Sequence, residues 1–236
     1  MKSSQEIQKW YNTFSSKQVN TGTNLRHYSI FNSLTEAGLK RNHKVLEIGC
    51  GIGTLTKLIA NYVKKGSLVA TDISDESIEI AKARIPNSKN NIELLVSDMS
   101  DFNHSEKFDF VVLPDVLEHI PIEQHDNLFK IIAEHTHDNS RILINIPHPK
   151  ALDYLRIHSP EKLQVIDQSI SAKELIDTSY AHGFELINYK SYSIFNKEND
   201  YALITFKKDT PITLAPLKQK TIIYRKLLAR IKYYLS

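Results

Sequence analysis

An open α/β fold built on a mostly parallel sheet is predicted by three features of the 236-residue chain. The first is an apolar run, Val45-Leu46-Glu47-Ile48, that passes into glycine at every second position (Gly49, Gly51, Gly53) and then into helical spacing at Leu55, Leu58 and Ile59. The second is the alternation of short apolar strands with amphipathic segments from residue 45 to 182, the pattern of right-handed β-α-β crossovers. The third is a closing pair of strand-like runs joined by the polar turn Asn196-Lys197-Glu198-Asn199-Asp200, which reads as an antiparallel hairpin at one sheet edge.

Each element has its own signal. Ahead of the first strand, Ile7, Trp10, Tyr11 and Phe14 recur at helical spacing, as do Leu25, Tyr28, Ile30, Phe31 and Leu34, with Gly22 between the two sets and Gly38 ending the second. These helices either pack on the core or cover a site. Arg26, His27 and Tyr28 are their chemically interesting residues, His27 as a candidate ligand or base. The glycine turn is a nucleotide-type site, because glycine adopts positive φ without a Cβ in the way. The helix behind it presents free N–H groups.

After Gly66, the strand Leu68-Val69-Ala70-Thr71-Asp72 ends in an acid about twenty residues past the glycines, where a carboxylate can accept from ribose hydroxyls. The alternative is that Asp72 caps the following helix, as Ser74 can. A helix is expected over 75–85, closed by Pro86, then a strand at Ile92–Val96 followed by Ser97-Asp98-Met99. Phe108–Pro114 reads as a fourth strand, running into Asp115-Val116-Leu117-Glu118-His119. A helix over 122–136 and a strand at Arg141–Pro147 follow. From 148 to 170 the pattern loosens, and this insertion should lie over the C-terminal edge of the sheet. A helix at Ala172–His182 and strands at Phe184–Phe195 and Tyr201–Phe206 complete the sheet.

Composition narrows the function classes. A single cysteine, Cys50, excludes an internal disulfide framework. No stretch approaches about 18 uninterrupted apolar residues, and the N-terminus lacks the apolar segment of a secretory signal, so a cytoplasmic protein is expected. A net charge of +3 is too small to imply nucleic acid. The charge is uneven, however. Lys218, Lys220, Arg225, Lys226, Arg230 and Lys232 share the last stretch with no acid, while Ile223, Leu227, Leu228, Ile231, Tyr234 and Leu235 repeat at helical spacing. Such a basic amphipathic helix suits an anionic membrane surface, a nucleic acid or partner protein, or simple docking with a solvated charged face.

The glycine turn with its leading acid, Glu47-x-Gly49-x-Gly51-x-Gly53, resembles motif I of class I S-adenosylmethionine-dependent methyltransferases. A dinucleotide fingerprint instead needs glycine where this chain has Thr54. Phe108, Asp109 and Val111 match the family's F-D-x-V at its fourth strand. Residues 115–119, D-V-L-E-H, resemble the branch that contains the ubiquinone O-methyltransferases. The resemblance covers residues 40–207 and implies a Rossmann-like, doubly wound, seven-stranded sheet. It implies a helical lid or extension at 1–40, a catalytic domain at 41–208 with the insertion 148–170, and a basic tail at 209–236.

It also implies S-adenosylmethionine as cofactor and S-adenosylhomocysteine as product. Glu47 and the glycine backbone would hold the methionine end, Asp72 the ribose, Asp98 the adenine amino group and the Met99 N–H a ring nitrogen. The implied cofactor set is Glu47, Gly49, Cys50, Gly51, Gly53, Asp72, Ile73, Asp98, Met99 and Pro114.

Methyl transfer is an in-line displacement, so the protein must align the acceptor and make it nucleophilic. A hydroxyl needs a base or a metal. Asp115, Glu118 and His119 would share a helix face if a helix began at 115. They would then suit Mg²⁺, Mn²⁺ or Zn²⁺, although related metal-binding motifs carry glutamate in the position of Asp115. Without a metal, His119 or His148 is the expected base. Cys50 fits the turn by its small size and is not read as a nucleophile; His125, His135 and His137 are left unassigned.

The expected activity is O-methylation of a hydroxyl on a small molecule, sugar or lipid-linked acceptor. The alternatives are an RNA methyltransferase or a silent cofactor-binding scaffold. Leu113-Pro114-Asp115-Val116 stands where amino-methylating enzymes carry N-P-P-Y. The oligomeric state is not indicated.

Overall fold

A computed structural model of the chain describes residues 6–12, 22–85 and 91–235. The expectations resting on Phe14 and Pro86 lie outside these residues. The strands are β1 (Lys44–Ile48), β2 (Ser67–Asp72), β3 (Ile92–Val96), β4 (Phe108–Pro114), β5 (Thr136–Pro147), β6 (Phe184–Tyr192) and β7 (Tyr201–Lys208). The helices are α1 (6–12), α2 (Leu25–Glu36), α3 (Thr54–Tyr62), α4 (Asp75–Arg84), α5 (Ile122–Glu134), α6 (Pro149–His158), α7 (Ala172–Ala181) and α8 (Gln219–Leu235).

All seven strands form one sheet in the order β3-β2-β1-β4-β5-β7-β6. β1 to β5 run parallel, and β7 lies antiparallel between β5 and β6. This is the doubly wound, seven-stranded sheet that the sequence predicts. Strand order reverses at β1, so the loops after β1, β2 and β4 open a crevice at the C-terminal edge.

Side-chain alternation sends successive residues to opposite faces. Leu46, Val111 and Ile144 are buried with Phe129, Ile132 and Leu175 of α5 and α7. Val45, Val112 and Leu143 are buried on the other face with Ile30, Leu34 and Ile59 of α2 and α3. Each such side chain removed from water stabilises the fold by roughly 1.5–3 kcal/mol before entropy is counted.

Three elements differ from expectation. β5 begins at Thr136 rather than Arg141, because Ser140 Oγ donates to the Phe108 carbonyl at 2.6 Å where the ladder with β4 shifts register. β6 ends at Tyr192 rather than Phe195. The N–H groups of Ile194, Phe195 and Asn196 turn onto the Asp200 carboxylate at 2.7, 2.9 and 3.1 Å and leave the ladder. The insertion is more regular than its composition suggests. Pro149 opens α6, and the His148 ring accepts from the Lys150 N–H as its N-cap.

α8 is present as a helix, and no residue of it with a described side chain is buried. Among the described residues, no helix is long and apolar enough to cross a membrane.

Candidate active site

The turn after β1 is held by backbone pairing and one carboxylate. Gly49 and Cys50 both donate N–H to the Thr71 carbonyl at 2.8 and 2.9 Å. Gly49, Gly51 and Gly53 have φ of 77°, 52° and 78°. A Cβ on Gly49 would lie 2.6 Å from Val116 Cγ2, so glycine is required where the loops after β1 and β4 cross. Asp72 ends β2 and ties the turn down: it accepts from the Gly51 N–H at 2.7 Å and the Ser74 N–H at 2.9 Å. Ser74 caps α4, so the helix-cap alternative for Asp72 falls to its neighbour.

These loops surround a cavity of about 440 Å³. Glu47, Gly49, Cys50, Gly51, Asp72, Ile73, Asp98, Met99, Pro114, Asp115 and His119 all line it. Among the expected residues, Gly53, Glu118 and His148 do not. Gly53 is instead the N-cap of α3, and His148 is occupied at the start of α6.

Glu47 is wholly buried, and neither of its carboxyl oxygens has a hydrogen-bond partner among the described residues. Burial pushes its pKa up to about 8, with Thr56 opposing. An orphaned buried carboxyl on a cavity wall is what a ligand's ammonium group would satisfy. Burial, reinforced by Asp72 and Glu47, keeps the Cys50 thiol well above its ordinary range and therefore protonated, which suits a space-filling role.

At the far rim, Asp98 accepts from the Ser100 N–H and hydroxyl at 2.9 and 2.6 Å. Met99 takes the left-handed conformation (φ 66°) and donates its N–H to Ser97 Oγ at 3.0 Å, so the hydroxyl of Ser97 occupies the N–H that the resemblance assigns to a ring nitrogen.

The D-V-L-E-H stretch does not start a regular helix. Asp115 is left-handed (φ 54°), and Leu117–His119 is a single 3₁₀ turn. The shared face assumed for a metal site is therefore absent, and Asp115 is engaged elsewhere. It pairs with Arg26 of α2 at 3.0 Å and accepts from Asn145 Nδ2 at 2.6 Å, while Tyr192 donates to Asn145 Oδ1 at 2.5 Å. Burial raises Asp115, with Arg26 and Asn145 opposing. Among the described residues, no group of three or more His, Cys, Asp or Glu side chains is placed to hold a metal ion. The ligand set Asp115, Glu118, His119 is accordingly corrected.

His119 has a different set of neighbours. Its Nδ1 lies 2.6 Å from the Ile166 carbonyl and 3.1 Å from Asp167 Oδ1, and its Nε2 lies 3.7 Å from Glu118 Oε1. Burial disfavours the charged ring, but Glu118, Asp167 and the Ile166 carbonyl outweigh it and lift the pKa to about 9. Burial pushes the Glu118 carboxyl up to about 8.

Gln168 fastens the segment carrying Asp167 over this turn. Its N–H donates to the Glu118 carbonyl at 2.9 Å and its Nε2 to the Ile120 carbonyl at 2.6 Å. From the other side α1 brings Tyr11, whose ring centroid is 6.0 Å from that of His119. The Tyr11 hydroxyl is buried without a hydrogen-bond partner among the described residues. His27 also lines the cavity, but it belongs to the capping box of α2, accepting from the Asn24 N–H at 3.2 Å. Burial, with Arg26 and Arg84, lowers its pKa to about 4, so it stays neutral.

Asp167, Gln168 and Tyr192 carry no signal in a local motif. Asn145 is the exception that a closer look could have flagged, a polar residue inside the apolar run Ile142-Leu143-Ile144-Asn145-Ile146.

Comparison with known proteins agrees with this geometry. Residues 45–139 match the model of a family described as a methyltransferase domain. A probable cobalt-precorrin-6B C(15)-methyltransferase (decarboxylating) of Thermoplasma acidophilum is 29% identical over 116 residues, 48% of this chain and 55% of that protein. A malonyl-[acyl-carrier protein] O-methyltransferase of Priestia megaterium is 27% identical over 85 residues, 36% of this chain and 30% of that protein. The chain thus spans about a third to a half of the length of the curated relatives it matches.

Magnesium protoporphyrin IX methyltransferase from Synechocystis PCC 6803, solved with S-adenosylhomocysteine, shares the fold. Its TM-score is 0.69 at 16% identity, covering 87% of this chain and 99% of that one. The cofactor expectation, S-adenosylmethionine, is met by this fold and by the residues around the cavity. Residues 45–139 thus match a methyltransferase domain, on a fold shared with solved S-adenosylmethionine-dependent methyltransferases.

Proposed function

We propose that the protein transfers the methyl group of S-adenosylmethionine to a hydroxyl oxygen on a small-molecule, glycan or lipid-linked acceptor. The observation that carries this reading is one cavity lined by the glycine turn, the orphaned Glu47, Asp72 and Asp98, with His119 on the same wall. Glu47 would answer the ammonium of the methionine moiety, Asp72 the ribose hydroxyls and Asp98 the adenine edge. Bound there, the cofactor supplies an electrophilic methyl on a cationic sulfonium.

The remaining work falls to the chain. In the free protein His119 holds a proton, which a neighbouring positive charge would repel; the neutral ring is then able to take the proton of a hydroxyl. Asp167 and the Ile166 carbonyl fix Nδ1 as the donor and leave Nε2 for the acceptor. Tyr11 of α1, packed against His119, supports reading residues 1–40 as a lid that shuts water from the reacting atoms. The D-V-L-E-H stretch supports placing the chain near the ubiquinone-type O-methyltransferases.

The test is transfer of labelled methyl from S-adenosylmethionine into an extract of cells carrying the gene, with and without EDTA, followed by separation of solvent-soluble, aqueous and macromolecular fractions. Alkali-stable label on the acceptor, unaffected by EDTA and cleaved as a methyl ether, supports the reading. Label on nitrogen, on carbon or on RNA overturns it.

A further inference from the structure

We infer that α8 is an element for docking on the surface of an anionic lipid bilayer, independently of the reaction the domain carries out. The helix is exposed along its length: Ile223, Leu227 and Ile231 are 61%, 54% and 47% exposed. Docking against the chain's own domain, one of the readings open from sequence, is therefore not what covers it.

The distribution of side chains around the helix is specific. With about 3.6 residues per turn, Ile223, Tyr224, Leu227, Leu228, Ile231 and Tyr234 fall within an arc of about 140°, which Lys220 enters at the first turn, while Ile222 and Tyr233 lie outside it. Arg225 and Lys232 border one side of that arc, and Lys226 and Arg230 border the other. Long basic side chains flanking an apolar stripe can rise to the phosphate level while the stripe sinks into the acyl boundary.

Charge selects among occupants. Residues 210–236 hold six Lys or Arg and no Asp or Glu, so a second copy of the helix would bring like charges together. A nucleic acid would meet the cations but leave the apolar arc in water. An anionic bilayer surface covers both, and the helix, about 25 Å long, lies along it without spanning it.

The experiment is sedimentation of the full chain with vesicles of phosphatidylcholine alone and of phosphatidylcholine mixed with phosphatidylglycerol, at low and high salt. The full chain is expected to pellet with the mixed vesicles at low salt and to be released by high salt. Arg225→Gln with Lys232→Gln is expected to weaken binding roughly thirtyfold, at about fivefold for each basic residue. Leu227→Glu with Ile231→Glu is expected to abolish it.

These side chains are exposed, so the unfolding midpoint of each variant should match that of the unaltered chain. Failure to pellet with mixed vesicles overturns the inference. So does equal, salt-insensitive binding to neutral vesicles. Tail-dependent dimers in sedimentation velocity, or tail-dependent retention by RNA in preference to vesicles, also overturn it.

Discussion

His119 Nδ1 and Asp167 Oδ1 lie 3.1 Å apart, joining the loop after β4 to the segment between α6 and α7. With the Ile166 carbonyl the pair fixes which ring nitrogen donates, and with Glu118 it holds the imidazole above its ordinary 6.5. Replacing Asp167 with Asn removes the charge and keeps the shape. The acid limb of kcat against pH is then expected to move down by on the order of one pH unit. His119→Ala should lower turnover by roughly 10²–10⁴ with cofactor affinity unchanged. A limb that stays in place in Asp167→Asn removes the carboxylate from the mechanism.

Three buried groups make the free protein's stability depend on pH in one direction. Glu47 and Glu118 are raised from 4.5 to about 8, and His119 from 6.5 to about 9, so the folded chain binds these protons more tightly than the unfolded one. Their contribution is complete below the unfolded values. It is lost as pH rises, over about 4.5 to 8 for the carboxyls and about 6.5 to 9 for the imidazole. The unfolding midpoint without ligand should fall between about pH 6 and about pH 9, and Glu47→Gln should flatten that fall.

The same shifts make cofactor binding release protons. An ammonium beside Glu47 and a cation near His119 both favour the deprotonated neighbour. Calorimetry at neutral pH in buffers of different ionisation enthalpy should register net release, and net uptake would contradict the assignment of these two residues.

Asp72 accepts from the Gly51 and Ser74 N–H groups and therefore shapes the turn as well as facing the ligand. Asp72→Ala should weaken S-adenosylmethionine binding by about 100-fold or more, since charged hydrogen bonds contribute roughly 1.5–3 kcal/mol each. Unchanged affinity by calorimetry would remove the ribose assignment.

Gly49 and Val116 mark where two loops touch. Gly49→Ala adds a methyl 2.6 Å from Val116 Cγ2 at φ 77°, so both stability and cofactor affinity should drop. The strain of the left-handed backbone alone costs roughly 1–2 kcal/mol. Val116→Ala in the same chain should restore part of the loss, read as non-additive unfolding midpoints. Strictly additive losses would show that the two loops are not coupled here.

The sheet was legible because its signals are local. The run Val45–Ile48, the acid Asp72 closing β2 and the turn at 196–200 each state a strand or a break within a few residues. The glycine and acid lining of the cavity was legible for the same reason, since glycines and acids at strand ends occupy set positions along the chain. What surrounds His119 was not.

Asp167, Ile166 and Tyr11 arrive from an insertion and from an N-terminal helix, brought together only by tertiary packing. The metal expectation failed on backbone geometry. It required a helix from Asp115, whereas a left-handed Asp115 and a 3₁₀ turn separate the three side chains. His148 failed because the proline after it converts an expected loop into a helix that uses its ring as a cap.

β7 runs against its parallel neighbours. It starts where Tyr201 pairs with Pro147, beside the cavity loops, and ends where Lys207 pairs with Arg141, at the other pole of the sheet. The tail therefore departs from the back of the domain while the cavity opens at the front. If α8 moored the domain through a taut link, the entrance would face the water, where dissolved acceptors reach it directly. An acceptor embedded in the same surface would be reached only if the proline-bearing link at 209–218, which spans up to about 33 Å when extended, let the domain turn over. Shortening that link thus separates two kinds of acceptor: turnover of a dissolved one would be untouched, and turnover of an embedded one would fall.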